Sequence, residues 1–327
     1  QVLTLFPYTT LFRSRWIAFF VSLLSWVLPS WAALFGHALW PVAWLIQKVS
    51  HYVGSVPAAS LNLTSPSFLA VGFYLATAAV LWTVLRRGAA RPRWAVLAGL
   101  AVCTAMTWQP WRLDPEVVFL DVGHGDATFI RSPDGSTALV DGGEESGFSR
   151  MGSHVVEPFL WAHHARRLDY VFVSHADSDH LAGLLPVLEA FEVGTFVVGP
   201  GQQDAPLMQK ALEQCALSGV EVRNAAKGDT FDLGGMRVAV EHPPADWPGP
   251  HSENSSSLVL RLDWDGVGVL FAGDIEHEAE ETLARDIAPA TILKVPHHGS
   301  RTSSSDEFVA AVQPRACVIS TGGMQGR

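Results

Sequence analysis

Apolar residues are distributed along this chain in two distinct ways. Up to residue 110 they come in long uncharged blocks. Residues 66–85 carry no charge and, at about 1.5 Å rise per residue, are long enough to cross a bilayer as a helix. Residues 94–110 form a second, slightly shorter block, with Trp94 and Trp108 near its ends. Ahead of both, residues 16–49 are rich in Trp, Leu, Phe and Ala but are broken by Pro29 and Pro41. That pattern predicts two short interfacial helices or one interrupted membrane helix. After Val117 the apolar runs shorten and are punctuated by Gly, Pro and Asp. Strands are predicted over 117–121, 127–131 and 137–140 as a β meander, then over 168–174, 195–198, 230–233, 236–241, 257–264, 267–272, 291–295 and 316–320. Asp265-Gly266, between two of these runs, predicts a tight hairpin. Helical spacing covers 151–165, 184–191, 206–217, 276–285 and 305–312. The expectation is an α/β layered domain with its site on one edge of the sheets, preceded by transmembrane helices.

Charge shows the same division. Residues 1–112 hold eight Lys or Arg and no Asp or Glu, whereas residues 113–327 hold the remaining 14 basic and all 32 acidic residues. The two parts carry +8 and −18. Four arginines at 86, 87, 91 and 93 lie between the two apolar blocks. The positive-inside bias places that connector in the cytoplasm, so residues after 110 are expected on the opposite side of the membrane. The reading is a multi-pass cell-membrane segment over 15–112, in contact with lipid, and an extracytoplasmic domain over 113–327. Residues 1–14 read as a non-native scar, and the domain is expected to be truncated at its C-terminus. Cys103, Cys215 and Cys317 are too few and too scattered for a disulfide framework or a Cys-x-x-Cys metal knuckle.

The candidate chemistry sits in His175-Ala-Asp177-Ser-Asp179-His180, directly after the apolar run 168–174. Two imidazoles and two carboxylates within six residues can all reach one point, because the preceding strand fixes where the loop starts. Asp274 ends a second strand-like run, and His297-His298 ends a third. Each piece alone is commonly structural. Three in this order, each following a strand, point to a divalent-metal hydrolase. Two ions about 3.5–4 Å apart would generate a hydroxide nucleophile and stabilise a leaving oxygen. Asp274 is placed to bridge them, and either His297 or His298 closes the second position.

The hexapeptide resembles the His-x-His-x-Asp-His motif of the metallo-β-lactamase superfamily, with Asp177 in place of the middle His. Further motifs accompany it: Asp121-Val-Gly-His124-Gly-Asp126, Val-Asp141-Gly-Gly, Asn254-Ser-Ser-Ser257, Ala-Gly-Asp274 and Lys-Val-Pro-His297-His298-Gly-Ser300. Together they resemble ComEC-type competence proteins, the DNA-uptake channel family. The resemblance implies a four-layer αβ/βα sandwich, bound divalent metal (two ions, Mn²⁺ or Zn²⁺), and an extracytoplasmic phosphodiesterase that degrades the DNA strand not transported. It implies His175, Asp177, Asp179, His180, Asp274 and His298 as ligands, and Asp179, His297 and His298 as catalytic groups. Whichever of the paired histidines is not a ligand is the candidate for protonating the leaving group. Asp121, His124, Asp126, Asp141, Asn254, Ser257 and Ser300 become substrate-contacting or loop-fixing residues. DNA and the receptor and uptake proteins of the competence machinery become the partners.

Three departures stand out. His124 occupies the position of the family's usual Gln. A carboxylate at 177 biases its metal position toward a harder ion such as Mn²⁺. His242 and His251 are spare imidazoles near the place of the absent middle His. The −18 charge also opposes nucleic acid, since a DNA-binding surface is normally basic. Two alternatives therefore stand beside the nuclease: a membrane-tethered hydrolase of a small phosphoester or lactone, and a non-catalytic module of a DNA channel.

Overall fold

A computed structural model describes residues 44–45, 48–49, 71–72, 75–79, 82, 99, 114–146, 149–247 and 254–322. Residues Gln1–Thr64 and Ser65–Arg327 form two separate units. In the first, the described residues Trp44, Leu45, Lys48 and Val49 are helical and exposed. The predicted membrane segment lies almost wholly outside the described residues. Within it, 71–72, 75–79, 82 and 99 are helical, and no described helix is long and apolar enough to cross a membrane. His251 also falls outside the described residues.

The α/β prediction from 117 onward is met by two six-stranded mixed sheets. The first contains β1 (Glu116–Phe119), β2 (Thr128–Arg131), β3 (Thr137–Val140), β4 (Arg167–Phe172), β5 (Glu192–Val198) and β6 (Glu221–Asn224), adjacent in chain order. The second contains β7 (Thr230–Leu233), β8 (Met236–His242), β9 (Val259–Trp264), β10 (Val267–Phe271), β11 (Ile292–Lys294) and β12 (Ala316–Val318), again in chain order. Each sheet opens as an antiparallel meander and ends in parallel strands. The change falls between β3 and β4 in the first sheet and between β10 and β11 in the second. The predicted hairpin joins β9 and β10, with Asp265 and Gly266 both at positive φ, as a primed turn requires.

Period-two alternation explains the layers. On β2, Phe129 packs into one apolar cluster and Ile130 into another; on β10, Leu270 and Phe271 divide likewise. The middle cluster, with Phe172, Val197, Leu260 and Phe271, fills the space between the sheets. The outer clusters hold the helices α1 (Glu157–Ala162), α2 (Ser178–Leu181), α3 (Leu184–Ala190) and α4 (Pro206–Ser218) on the first sheet, and α5 (His277–Leu283) and α6 (Asp306–Val312) on the second. Three apolar interfaces require four layers. Each fully buried Leu or Phe in them contributes about 1.5–3 kcal/mol.

Local signals set the helix ends. Pro206 opens α4, and Gly219 at φ +69° closes it. Ser305 caps α6 by accepting the Phe308 N–H. The predicted helix over 151–165 is instead a π-helical turn (Gly152–Val156) running into α1. Strand β6 escaped the sequence reading because all four of its residues are exposed, which leaves no apolar run to see.

Candidate metal centre

The parallel strands put their C-terminal ends on one edge, where the side chains just past them converge. Asp141 comes after β3, the hexapeptide after β4, Asp274 after β10, and His297 and His298 after β11.

Asp141 organises the first group. It is buried, with its backbone at φ +58°. Its Oδ1 accepts the Ser174 N–H at 2.8 Å, and its Oδ2 accepts the Ser174 hydroxyl at 2.7 Å. The same Oδ2 lies 2.9 Å from His180 Nδ1. A carboxylate only accepts, so His180 carries its proton on Nδ1 and turns Nε2 inward. Ser174 Oγ, its proton committed to Asp141, accepts from His175 Nδ1 at 3.0 Å. His298 Nδ1 lies 3.1 Å from the Ser320 carbonyl oxygen and must donate as well. Three imidazoles are thus anchored through Nδ1–H, and each offers Nε2. Outer hydrogen bonds of this kind fix ring orientation and tautomer in metal sites.

The inward atoms share one spacing. His180 Nε2 lies 3.3 Å from His298 Nε2 and 3.3 Å from Asp274 Oδ1. His298 Nε2 lies 3.4 Å from Asp179 Oδ2 and 3.5 Å from Asp274 Oδ2. His175 Nε2 lies 3.4 Å from Asp177 Oδ2. Ligands at about 2.0–2.2 Å from one ion stand roughly 3.3–3.6 Å apart in a tetrahedron. Two of these buried atoms, His175 Nε2 and Asp274 Oδ1, have no hydrogen-bond partner. Such atoms are costly to leave unmatched, and a cation between them satisfies both. The nitrogen and carboxylate donor set therefore fits a divalent ion.

The carboxylates make this point favourable to positive charge. Burial works to lower the His180 pKa, but the carboxylates of Asp141 and Asp274 outweigh it and hold it well above the usual value. His298 is raised in the same way by Asp179, Asp274 and Asp126 against burial. Burial would raise Asp179, yet the His298 hydrogen bond and the His180 charge bring it to about 2. Asp274 also falls below the carboxylate range, because His180, His175 and His298 overcome its burial. Asp177 is lowered chiefly by the neighbouring His175 imidazole.

The structure separates the paired histidines. Both sit at positive φ, +48° for His297 and +51° for His298, a conformation rare outside glycine. His298 enters the centre. His297 turns to Asn254 (Nε2 to Nδ2, 3.4 Å), Thr302 (Nδ1 to Oγ1, 3.3 Å) and Glu276 (Nδ1 to Oε1, 3.6 Å). Ser257 Oγ accepts the Asp274 N–H at 3.1 Å and fixes that loop. Asp121 accepts the Gly123 N–H, and Ser300 contacts Thr302, both outside the centre. His242 is buried, and its Nε2 donates to the Ser255 carbonyl oxygen.

Several contributors lay outside the sequence reading. Lys294, buried at the end of β11, pairs with Asp126 at 2.7 Å beside His298. A lone Lys in an apolar strand was the available signal. Gln202 donates to the carbonyls of Ser174 and Ser256 and so ties the two halves of the site together. Buried Glu280 accepts the N–H groups of Ser304 and Ser305 and holds the loop after His298. Nothing in the sequence around Gln202 or Glu280 announces those roles.

Residues 120–323 match the family model described as Metallo-beta-lactamase superfamily. The chain is 32% identical over 222 residues to ComE operon protein 3 of Bacillus subtilis, covering 63% of this chain and 28% of that protein. It is 29% identical over 254 residues to competence protein ComA of Neisseria gonorrhoeae, covering 76% and 33%. The ComEC-type resemblance read from the motifs therefore stands, and the chain spans only about a third or less of these relatives' length. Among solved structures it is similar to CmlA, a diiron beta-hydroxylase from Streptomyces venezuelae, at 21% identity and a TM-score of 0.43, covering 74% of this chain and 50% of that one.

Proposed function

We propose, from the premise that this chain belongs to the metallo-beta-lactamase superfamily, that residues 113–327 act as a metal-dependent phosphodiesterase on DNA during its uptake. One observation carries the reading. The Nε2 atoms of His175, His180 and His298 and the carboxylates of Asp179 and Asp274 converge at ligand spacing, Asp177 stands 3.4 Å from His175 Nε2, and two buried atoms among them lack partners. These six residues would hold the metal. When bound, divalent cations supply Lewis acidity at a phosphoryl oxygen and water that ionises near neutral pH. Mn²⁺ and Zn²⁺ both suit the donor set.

The chain's own residues do the rest. Asp141, Ser174 and the Ser320 carbonyl hold the three rings in register. His297, partly exposed and turned away from the ligand atoms, is the proposed proton donor to the leaving oxygen, with Asn254, Thr302 and Glu276 orienting its ring. DNA as substrate is supported by relatives named for competence and recombination. On the same reading the domain lies on the extracytoplasmic side of the cell membrane and meets DNA delivered by receptor and uptake proteins. The −18 charge of residues 113–327 favours a second reading, hydrolysis of a small phosphoester.

The full chain, purified in detergent, would be assayed on end-labelled single-stranded DNA with Mn²⁺, Zn²⁺ or EDTA beside an Asp179→Ala/His180→Ala variant. Metal-dependent cleavage lost in the variant is expected. Intact DNA with metal bound would transfer the assignment to the small phosphoester. Intact DNA with no metal bound would leave a non-catalytic module.

A further inference from the structure

We infer that His124 is itself a metal ligand, joining Asp179 and His298 around an ion at the solvent-facing side of the centre. The inference rests on the metal-centre reading above and extends it to a residue that the family resemblance does not make a ligand.

The observation is geometric. His124 Nε2 lies 3.8 Å from Asp179 Oδ2, and its ring centroid lies 4.5 Å from that of His298. One ligand-capable atom from each of His124, Asp179 and His298 lies within 4.8 Å of the others. The 3.8 Å separation of His124 and Asp179 is slightly wider than the edge of a tetrahedral ligand set, so the group has to draw in around an ion. A second, fully buried group, His175, His180 and Asp274, lies deeper. The outer group differs by being open: the His124 side chain is 66% exposed.

The loop carrying His124 is docked rather than loosely placed. Gly123 and Gly125 flank it at φ +74° and +112°. A Cβ at Gly125 would come 2.2 Å from the Asp179 carbonyl oxygen, so only glycine lets the loop sit there. The next residue, Asp126, donates its N–H to that same oxygen at 3.2 Å. The backbone that presents Asp179 therefore also anchors the backbone that presents His124.

The chemistry separates this chain from its resemblance. Where the family has Gln, an amide oxygen is a poor ligand for a borderline cation, whereas a neutral imidazole is a good one. Without His124 the outer group offers one nitrogen; with it, two. The outer position should accordingly favour Zn²⁺ or Co²⁺ over Mn²⁺.

The test is metal binding by the full chain in detergent, titrated with Zn²⁺ and Co²⁺ against a competing chelator, with the Co²⁺ visible spectrum as a second readout. Wild type is compared with His124→Gln and Asp179→Asn. His124→Gln is expected to weaken one of two bound ions by at least about tenfold, the smallest loss typical even for groups one step removed from a metal. It should also change the Co²⁺ spectrum and leave the tighter ion in place. Unchanged affinities and spectrum in His124→Gln, with one ion weakened in Asp179→Asn, would overturn the role of His124 alone. No bound ion in wild type, or no effect of Asp179→Asn, would overturn the metal centre and this inference together. Circular dichroism of each variant verifies that the fold is retained.

Discussion

In the first half of the domain one strand delivers most of the proposed ligands: β4 ends at Phe172, and His175, Asp177, Asp179 and His180 come together soon after it. In the second half the ligands arrive singly. Asp274 comes off β10 after Gly273 at φ +55°, and His298 comes off β11 through two consecutive left-handed residues. The hexapeptide itself has no left-handed residue and is held by side-chain bonds among Asp141, Ser174 and the two imidazoles, with Asp141 at φ +58° the one such non-glycine residue supporting it. The second half places its ligand itself in that conformation, with two consecutive residues at a cost of order 1–3 kcal/mol each. A centre between two sheets can thus be built from one preorganised segment and a few individually aimed residues. Lys294–Asp126 and Gln202 lock the two contributions together.

The largest effect is expected where both halves depend on one residue. Asp274→Asn removes the carboxylate that faces His180 on one oxygen and His298 on the other. Metal affinity should fall by more than the roughly 100-fold that an outer hydrogen-bonding group can cost. Chelator competition measures it, and wild-type affinity would mean that the halves do not share this residue.

Next in size is the lock between the halves. Lys294→Met leaves Asp126 buried without its cation, which should cost about 3–5 kcal/mol. Denaturant unfolding reads this directly, and adding Asp126→Asn should recover much of it. Equal stability of Lys294→Met and wild type would show that the pair contributes nothing to the join.

The second half should also carry an acid sensitivity remote from the ligands. Burial depresses His242 to about 4. The unfolded chain, at an ordinary value near 6.5, takes up the proton first. The resulting stability is fully present above pH 6.5 and is lost as pH falls from there to about 4, on the order of 3 kcal/mol in all. His242→Phe should flatten that part of the stability–pH profile. An unchanged profile would assign the acid sensitivity elsewhere.

The smallest effect tests the orienting network of the first half. Asp141→Asn keeps the shape but loses the charge that fixes the His180 tautomer, and metal affinity should drop about 10–100-fold. A drop as large as that of Asp274→Asn would make Asp141 a ligand rather than an orienting group.

Much of this was legible in the chain itself. The strands from 117 onward, the hairpin at Asp265-Gly266 and the convergence of the hexapeptide with Asp274 and the paired histidines come from local rules: alternation, turn chemistry and ligand-rich loops after strands. The exposed edge strand β6 was hidden because it buries nothing, and the π-helical turn at Gly152–Val156 because its spacing mimics an α-helix. Asp141 reads as a loop carboxylate in sequence and becomes the hinge of the His175–His180 network only in space.

Local pattern along the chain supplies the inventory: an α/β domain, and the side chains proposed to bind a divalent ion. Their directions and partners come from the packing of the two sheets. That packing sent His298 inward and His297 outward, although the two are adjacent in the chain and chemically identical. It buried Lys294 against Asp126, a residue 168 positions away, and brought His124 beside Asp179 and His298. The physical reason is that periodicity and turn chemistry act over a few residues, whereas the direction of a side chain at a strand end depends on φ and on partners supplied by the opposite sheet.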